Sequence, residues 1–292
     1  MKKANAFFMG SPIPFSLNQK GKQNEALTPP MTFKFLLPAL TACLLTACGG
    51  SDDDGMGNPG DRPSASEQQA FEASKVGAES LVGTDGSRSN DDRYRVSIGN
   101  TTLVELDGKT GRHDYRSLPA GFSSQAATAT FLAYNNASIP ATMRSYQGFR
   151  SGVVVTYFHQ GGALIDTYGV KTAAAQLPQS GSATYNGTAF DRNDRGTLSY
   201  KVDFGARTGE GRIEGLGHYG TITLARGNFQ TVKRLEDGAA GIVGTASAKY
   251  TGSLPYEVVF YGHGAEEIAG GVMNDAENDR IGFHGTRGEI SQ

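Results

Sequence analysis

The stretch Ser182–Phe204, SATYNGTAFDRNDRGTLSYKVDF, decides the fold. In its second half Leu198, Tyr200, Val202 and Phe204 fall on one face, and Thr197, Ser199, Lys201 and Asp203 fall on the other. That is the two-residue period of a strand with one buried side. The middle, Asp191-Arg192-Asn193-Asp194-Arg195-Gly196, is dense in residues that bend a chain, so it reads as the turn of a hairpin. The spacing of Asp191 and Asp194 also suits a metal loop, but the turn is the favoured reading. Further short segments follow at 211–216, 219–225, 229–235, 242–250, 256–261, 267–272 and 280–284. Many short strands with hairpin-sized turns predict a closed antiparallel barrel or a sandwich. Strands this polar on one face do not make a porin, whose outward side must be apolar.

Upstream the same period begins at Arg93. Tyr94, Val96 and Ile98 alternate with polar partners, and Leu103-Val104-Glu105-Leu106 leads into a turn at Asp107-Gly108. Ala126–Tyr134 and Phe149–Phe158, the latter with Val153-Val154-Val155, are further expected strands. One short helix is expected, capped by Ser64 or Ser66, over SEQQAFEASKVGAESLV, with Phe71, Val76 and Leu81 as its apolar stripe.

Glycine supplies 40 of the 292 residues and tryptophan none. Glycine without a collagen period suits a protein of many tight turns, because glycine alone takes positive φ without a steric cost. The formal charge of −2 conceals a division. Residues 1–47 hold five basic side chains and one acidic one, so the remainder carries 22 basic against 28 acidic groups, a net −6. An acidic surface excludes nucleic acid as the partner, since that binding rests on concentrated positive charge.

The two cysteines, Cys43 and Cys48, both lie in an apolar stretch, so the rest of the chain has no disulfide framework and no thiolate metal site. Residues 31–50 read MTFKFLLPALTACLLTACGG. The apolar run Phe35–Leu45 is shorter than the ~20 residues a membrane helix needs and has the proportions of a signal-peptide core. It ends in Leu45-Thr46-Ala47-Cys48, the pattern of a bacterial lipobox, so Cys48 is the expected site of lipidation. Several acyl chains, each contributing ~0.8 kcal/mol per buried CH₂, then give a stable anchor. Cys43 closes a second, less suitable copy, and Met31 is the expected initiator. Gly49 in place of aspartate favours sorting to the outer membrane. Gly49–Ser66, rich in Gly, Ser, Pro and Asp, has too little apolar surface to fold and reads as a tether. Asp52-Asp53-Asp54 lacks the glutamate of a calcium loop. The expected organisation is therefore a signal region over 1–47, a lipidated tether over 48–66, a β-rich domain over 67–180 and a β-barrel over 181–292.

The motifs YNGTAF (Tyr185–Phe190), LSYKVDFGARTGEGRIEGL (Leu198–Leu216), GTASAKY (Gly244–Tyr250) and YEVVFYGHGAEEIAGGV (Tyr256–Val272) resemble, in order and spacing, the C-terminal barrel of the factor H binding protein family. The resemblance covers about 110 residues and weakens over 93–180. It implies an eight-stranded barrel, shared with transferrin-binding protein B and the haemophilin-type haem scavengers, preceded by an open, curved β domain. It also implies a surface lipoprotein of a Gram-negative bacterium, carried across the outer membrane by a dedicated translocator and binding a host serum protein such as complement factor H. In relatives that bind factor H, glutamates stand at the positions of Gly252 and Met273. This chain therefore holds a complement regulator differently or holds another ligand, and haem or transferrin capture is the alternative. Glu257, Glu266 and Glu267 read as solvated carboxylates. The glycines within YxGxAF, GEGRIEG and EIAGG read as structural, permitting the coiling of a narrow barrel.

No nucleophile elbow, phosphate loop or H-E-x-x-H motif occurs, so no enzyme chemistry and no resident cofactor are expected. Of His113, His159, His218, His263 and His284, no two stand at ligand spacing. His263, between two glycines, reads as a turn residue. His159 follows a long apolar run and is the one candidate haem ligand, against the simpler reading of a histidine at a strand end.

Overall fold

In a computed structural model, residues 62–80, 93–107, 110–132, 135–236, 238–249 and 251–292 are described. Cys43, Cys48, Met31, Leu81, the aspartate run and the tether up to residue 61 lie outside them. The described chain opens with helix α1 (Ala65–Ser74). Ser64 caps it: its hydroxyl accepts the Glu67 N–H at 3.3 Å, and the Glu67 carboxylate accepts the Ser64 N–H at 2.8 Å. The expected helix runs on through Val76, but the observed one stops at Ser74. Residues Val76–Ser80 form strand β1 instead, paired with Thr110–Asp114 (β4). So short a helix is marginal by itself, and ladder hydrogen bonds outcompete its extension. Val76 is left 47% exposed.

Strands β2 (Arg93–Ile98), β3 (Thr101–Asp107), β5 (Gly121–Phe131), β6 (Ala137–Gln147), β7 (Ser151–Phe158) and β8 (Ala163–Gly169) complete a curled half-barrel in the order β1-β4-β3-β2-β5-β6-β7-β8. Besides β1, three of its strands, β4, β6 and β8, are not among the expected segments. In β6 the obstacle is Pro140, which belongs at an edge or a strand's first residues. It sits just beyond the last β6–β7 pair, Ala141↔Phe158, so its missing N–H costs that ladder nothing. The two edges are drawn together across the half-barrel. The Tyr115 hydroxyl donates to Asp166 on β8 at 2.7 Å, and Phe71 of α1 stacks on Tyr168 of β8.

The second half is a closed barrel of eight antiparallel strands: β9 (Ser182–Phe190), β10 (Arg195–Asp203), β11 (Thr208–Leu216), β12 (Gly220–Thr231), β13 (Ala240–Ser247), β14 (Leu254–Tyr261), β15 (Glu267–Asn274) and β16 (Asp279–Arg287), with β16 pairing back to β9. The expected alternation of β10 is observed, with Leu198, Tyr200, Val202 and Phe204 all buried. The segments 219–225 and 229–235, expected as two strands, are the single strand β12. Arg226-Gly227, which resembles a turn, lies in a bulge where the pairing to β13 shifts between Leu224 and Asn228.

Three apolar clusters hold the molecule together. The barrel interior is filled by Tyr185, Tyr200, Tyr256, Phe260, Phe283 and their aliphatic neighbours. The half-barrel packs around Phe71, Leu103, Tyr115, Tyr168 and Val154. Between the two sheets, Val153, Val155 and Tyr157 of β7 meet Phe190, Val259, Ala269 and Met273 of the barrel wall. The valine run is thereby explained: Val154 faces the half-barrel, Val153 and Val155 face the seam, and both sides of β7 are covered. Each such side chain contributes about 1.5–3 kcal/mol. Ile165 of β8 lies over Gly271, where a Cβ would stand 2.3 Å from its Cδ1 and displace that side chain.

Candidate functional site

The polar centre of the seam is Glu267, at the start of β15 and 0% exposed. Its carboxylate accepts the Phe149 N–H at 2.9 Å, the Arg150 N–H at 3.0 Å and the Ser151 hydroxyl at 2.7 Å, all from the entry to β7. His284 Nε2 on β16 lies 3.1 Å from the same carboxylate and 2.9 Å from Ser151 Oγ. Burial by itself would raise the Glu267 pKa. The His284 hydrogen bond and charge, with the Ser151 and Phe149 bonds, outweigh it and hold the carboxyl below its ordinary value. Gly148 is needed beside this cluster, because a Cβ there would sit 2.6 Å from the His284 ring.

Ser, His and Glu side by side suggest a nucleophilic relay, but the geometry is wrong for one. A relay needs the hydroxyl and the carboxylate on different ring nitrogens. Here both meet Nε2, and Ser151 is 0% exposed. The cluster is a pin between two sheets. It also corrects an expectation: Glu267 is not solvated, and neither is Glu257. Glu257 is 3% exposed and accepts the N–H groups of Lys233, Arg234 and Leu235, so it holds the β12–β13 connection in place. Glu266, half-buried, accepts the Gly264 N–H at 2.9 Å.

Asp191 and Asp194 form the β9–β10 turn as read from the sequence. Asp191 Oδ1 accepts the Asn193 and Asp194 N–H groups at 2.8 and 2.6 Å, and burial raises its pKa. Arg144 of β6 crosses the seam, donating to the Asp191 and Asp194 carbonyls at 2.5 and 2.9 Å. His159 stands exposed just past β7, its backbone N–H on Pro140 O and its Nε2 3.1 Å from Thr142 Oγ1. His263 occupies the β14–β15 turn. Gly252 is exposed before β14, whereas Met273 is buried in the seam. Among the described residues, no group of three or more His, Cys, Asp or Glu is placed to hold a metal, and no helix is long and apolar enough to cross a membrane.

From the pin outward, the free wall of the barrel carries a polar cleft of about 560 Å3. Strand register builds its floor. One row across β16, β9, β10 and β11 is Thr286, Asn186, Ser199 and Arg212. The adjacent row is His284, Thr188, Thr197 and Glu214. Tyr146 of β6 closes the end at the seam, its ring 4.8 Å from that of His284. Of these residues the sequence reading places only Thr197 and Ser199, on the polar face of β10. The signal was the alternation of β9 and β10, but the neighbours of each strand are not visible in one dimension.

The molecule so described is an all-β unit in which a curled half-barrel is pinned to a closed eight-stranded barrel. Residues 175–272, running from the connection before β9 into β15, match the family model described as Factor H binding protein, C-terminal. The motifs from YNGTAF to EIAGGV lie within that match. Similar solved structures include intact Ap-TbpB with its N and C lobes (15% identity, TM-score 0.41, 68% of this chain and 46% of that one). Others are the isotype 1 transferrin binding protein B of serogroup B Neisseria meningitidis (11%, 0.39, 64% and 49%) and the haemoglobin receptor HpuA of Kingella denitrificans (13%, 0.39, 73% and 91%). This chain spans under half the length of the two-lobed protein.

Proposed function

We propose that this chain is a lipoprotein of the bacterial outer membrane, anchored through Cys48 and displayed on the cell surface by a dedicated translocator, and that its barrel unit binds a host serum protein. Complement factor H or a similar regulator is the partner named by the reading. The observation that carries it is the match of residues 175–272 to the factor H binding protein model. The contact set differs from that of the factor H-binding relatives. Gly252 offers no side chain, and Met273, 1% exposed, faces the seam, where no partner reaches it. A few anchors dominate most interfaces, so other residues must supply them here.

The test is a pull-down from host serum with the full chain, bound partners being identified by mass spectrometry. A saturable complement regulator is the expected result. Absence of any saturable serum protein refutes the reading, and recovery of transferrin in its place moves the function to iron capture. Haemin mixed with the same preparation tests the role of His159: a Soret shift abolished in His159→Ala assigns haem, and an unchanged spectrum removes it.

A further inference from the structure

Where the half-barrel covers it, the wall of the barrel is mostly apolar around the Glu267–His284 pin, and the cleft beside Tyr146 begins where that cover ends. A volume of about 560 Å3 falls within the roughly 300–1,000 Å3 of small-molecule pockets. Such pockets are ordinarily lined by hydrophobic side chains with a few polar groups. This one is more even: hydroxyls, an amide, guanidinium groups and a carboxylate share its floor with Leu198 and Gly187, and rings stand at one end.

That lining narrows the ligand. An apolar molecule would strip water from polar groups and return no hydrogen bonds. A strongly anionic ligand meets the Glu214 carboxylate, and of the two guanidinium groups in the cleft Arg212 is already within 3.2 Å of that carboxylate while Arg195 lies over the Phe122 ring at 5.2 Å. A ligand that fits must both donate and accept at several neighbouring points. Hydroxyl groups do so, since each has one donor and two acceptor positions. Arg212, donor only, and Glu214, acceptor only, stand two residues apart on β11 with their side chains together, as a vicinal diol requires. Thr188 and Thr197, a cross-strand pair in the adjacent row, add hydroxyls that rotate to suit either role. Tyr146 presents a half-exposed ring against which the C–H face of a pyranose can lie. Its partner ring, His284, is fixed by Glu267, so this wall is held before a ligand arrives. Backbone bonding around the closed barrel holds the floor equally firmly.

We propose that this cleft is a saccharide site taking a neutral pyranose, either as a free sugar or as the end of a glycan. It stands on the cleft alone and does not require the host-protein reading.

The full chain, held in a non-glycosidic detergent, is to be examined by saturation-transfer NMR with the methyl glycosides of glucose, galactose, mannose and N-acetylglucosamine. Transfer to at least one of them is expected. Affinity should fall at least about tenfold in Arg212→Ala and in Glu214→Ala, as loss of one charge-assisted hydrogen bond implies. Lys201→Ala, exposed on β10 outside the cleft, should bind as the parent does. The three positions are exposed, and equal melting temperatures will show that the variants fold. A glycoprotein carrier with and without its glycans separates the sources: retention of the glycosylated form alone assigns a glycan end, and binding of the methyl glycosides without the carrier assigns a free sugar. No transfer to any of the four glycosides overturns the proposal. So does equal transfer in both cleft variants, or transfer to the methyl glycoside of N-acetylneuraminic acid only.

Discussion

Replacing Glu267 by alanine removes the one acceptor shared by four donors. Two backbone N–H groups, the Ser151 hydroxyl and the His284 ring would be left around a void, at distances that now run from 2.7 to 3.1 Å. A buried donor left unpaired costs about 1–3 kcal/mol, and more where the lost acceptor is a carboxylate. These are not additive, because the imidazole and hydroxyl can turn toward each other, so about 3–5 kcal/mol is the expected total. For a unit of this size that lowers the melting temperature by roughly 6–20 °C. Calorimetry at neutral pH checks it, and a shift of under about 2 °C, less than 1 kcal/mol, would refute the claim that the carboxylate pins the seam. The pH dependence gives a second readout. The Glu267 pKa is lower in the folded state than in the unfolded one. Its stabilisation is therefore complete above the unfolded value, about 4.3, and is lost as pH falls through the folded-state value. Glu267→Gln should be less stable than the parent at pH 7 and should lose less stability than the parent below about pH 4.

Gly271→Val would place a Cβ 2.3 Å from Ile165 Cδ1. Overpacking of this kind costs about 1–3 kcal/mol, and limited proteolysis should show faster cutting in the half-barrel while the barrel stays resistant. Glu257→Ala orphans the N–H groups of Lys233, Arg234 and Leu235; hydrogen exchange at those three amides should accelerate at least about tenfold, the equivalent of 1.4 kcal/mol, with little change in β15 and β16. Phe71→Ala removes the sole buried side chain of α1. A Phe deletion costs about 3–5 kcal/mol, more than so short a helix can sustain, so amide protection over residues 65–75 should vanish while the barrel melts as before.

The barrel was readable because its information is local. The alternation of β10, the turn after Phe190 and the spacing of later strands each lie within a dozen residues. The sequence misled where a local sign had a non-local cause. Arg226-Gly227 looks like a turn and is a bulge, because β13 on its far side fixes the register. Val76 extends a helical stripe and is a strand residue, because β4 is waiting to pair with it. The seam was illegible for the same reason: Ser151 and Glu267 are 116 residues apart, and an isolated glutamate gives no sign of burial. Histidine shows the contrast most plainly. His159 drew notice by its apolar neighbours and is exposed, while His284, at the end of the expected segment 280–284, is buried at the pin. Inward Ile281 and Phe283 would have marked His284 as outward-facing, but not what covers it.

The seam also shows why polar and apolar contacts are divided as they are. Val153, Val155, Phe190 and Met273 supply most of the burial, yet apolar faces alone tolerate small slides. Hydrogen bonds do not, because they weaken steeply with distance and angle. Glu267 fixes the start of β7 to β15 and β16, and Arg144 fixes β6 to the β9–β10 turn. Arg192 donates to the Phe158 and Gly162 carbonyls at the far end of β7. Three pins at separated points oppose sliding and rocking of one sheet on the other. The cleft depends on this directly. Tyr146 belongs to one sheet and the floor to the other, so a slide of the half-barrel would move the ring off His284 and open the end wall.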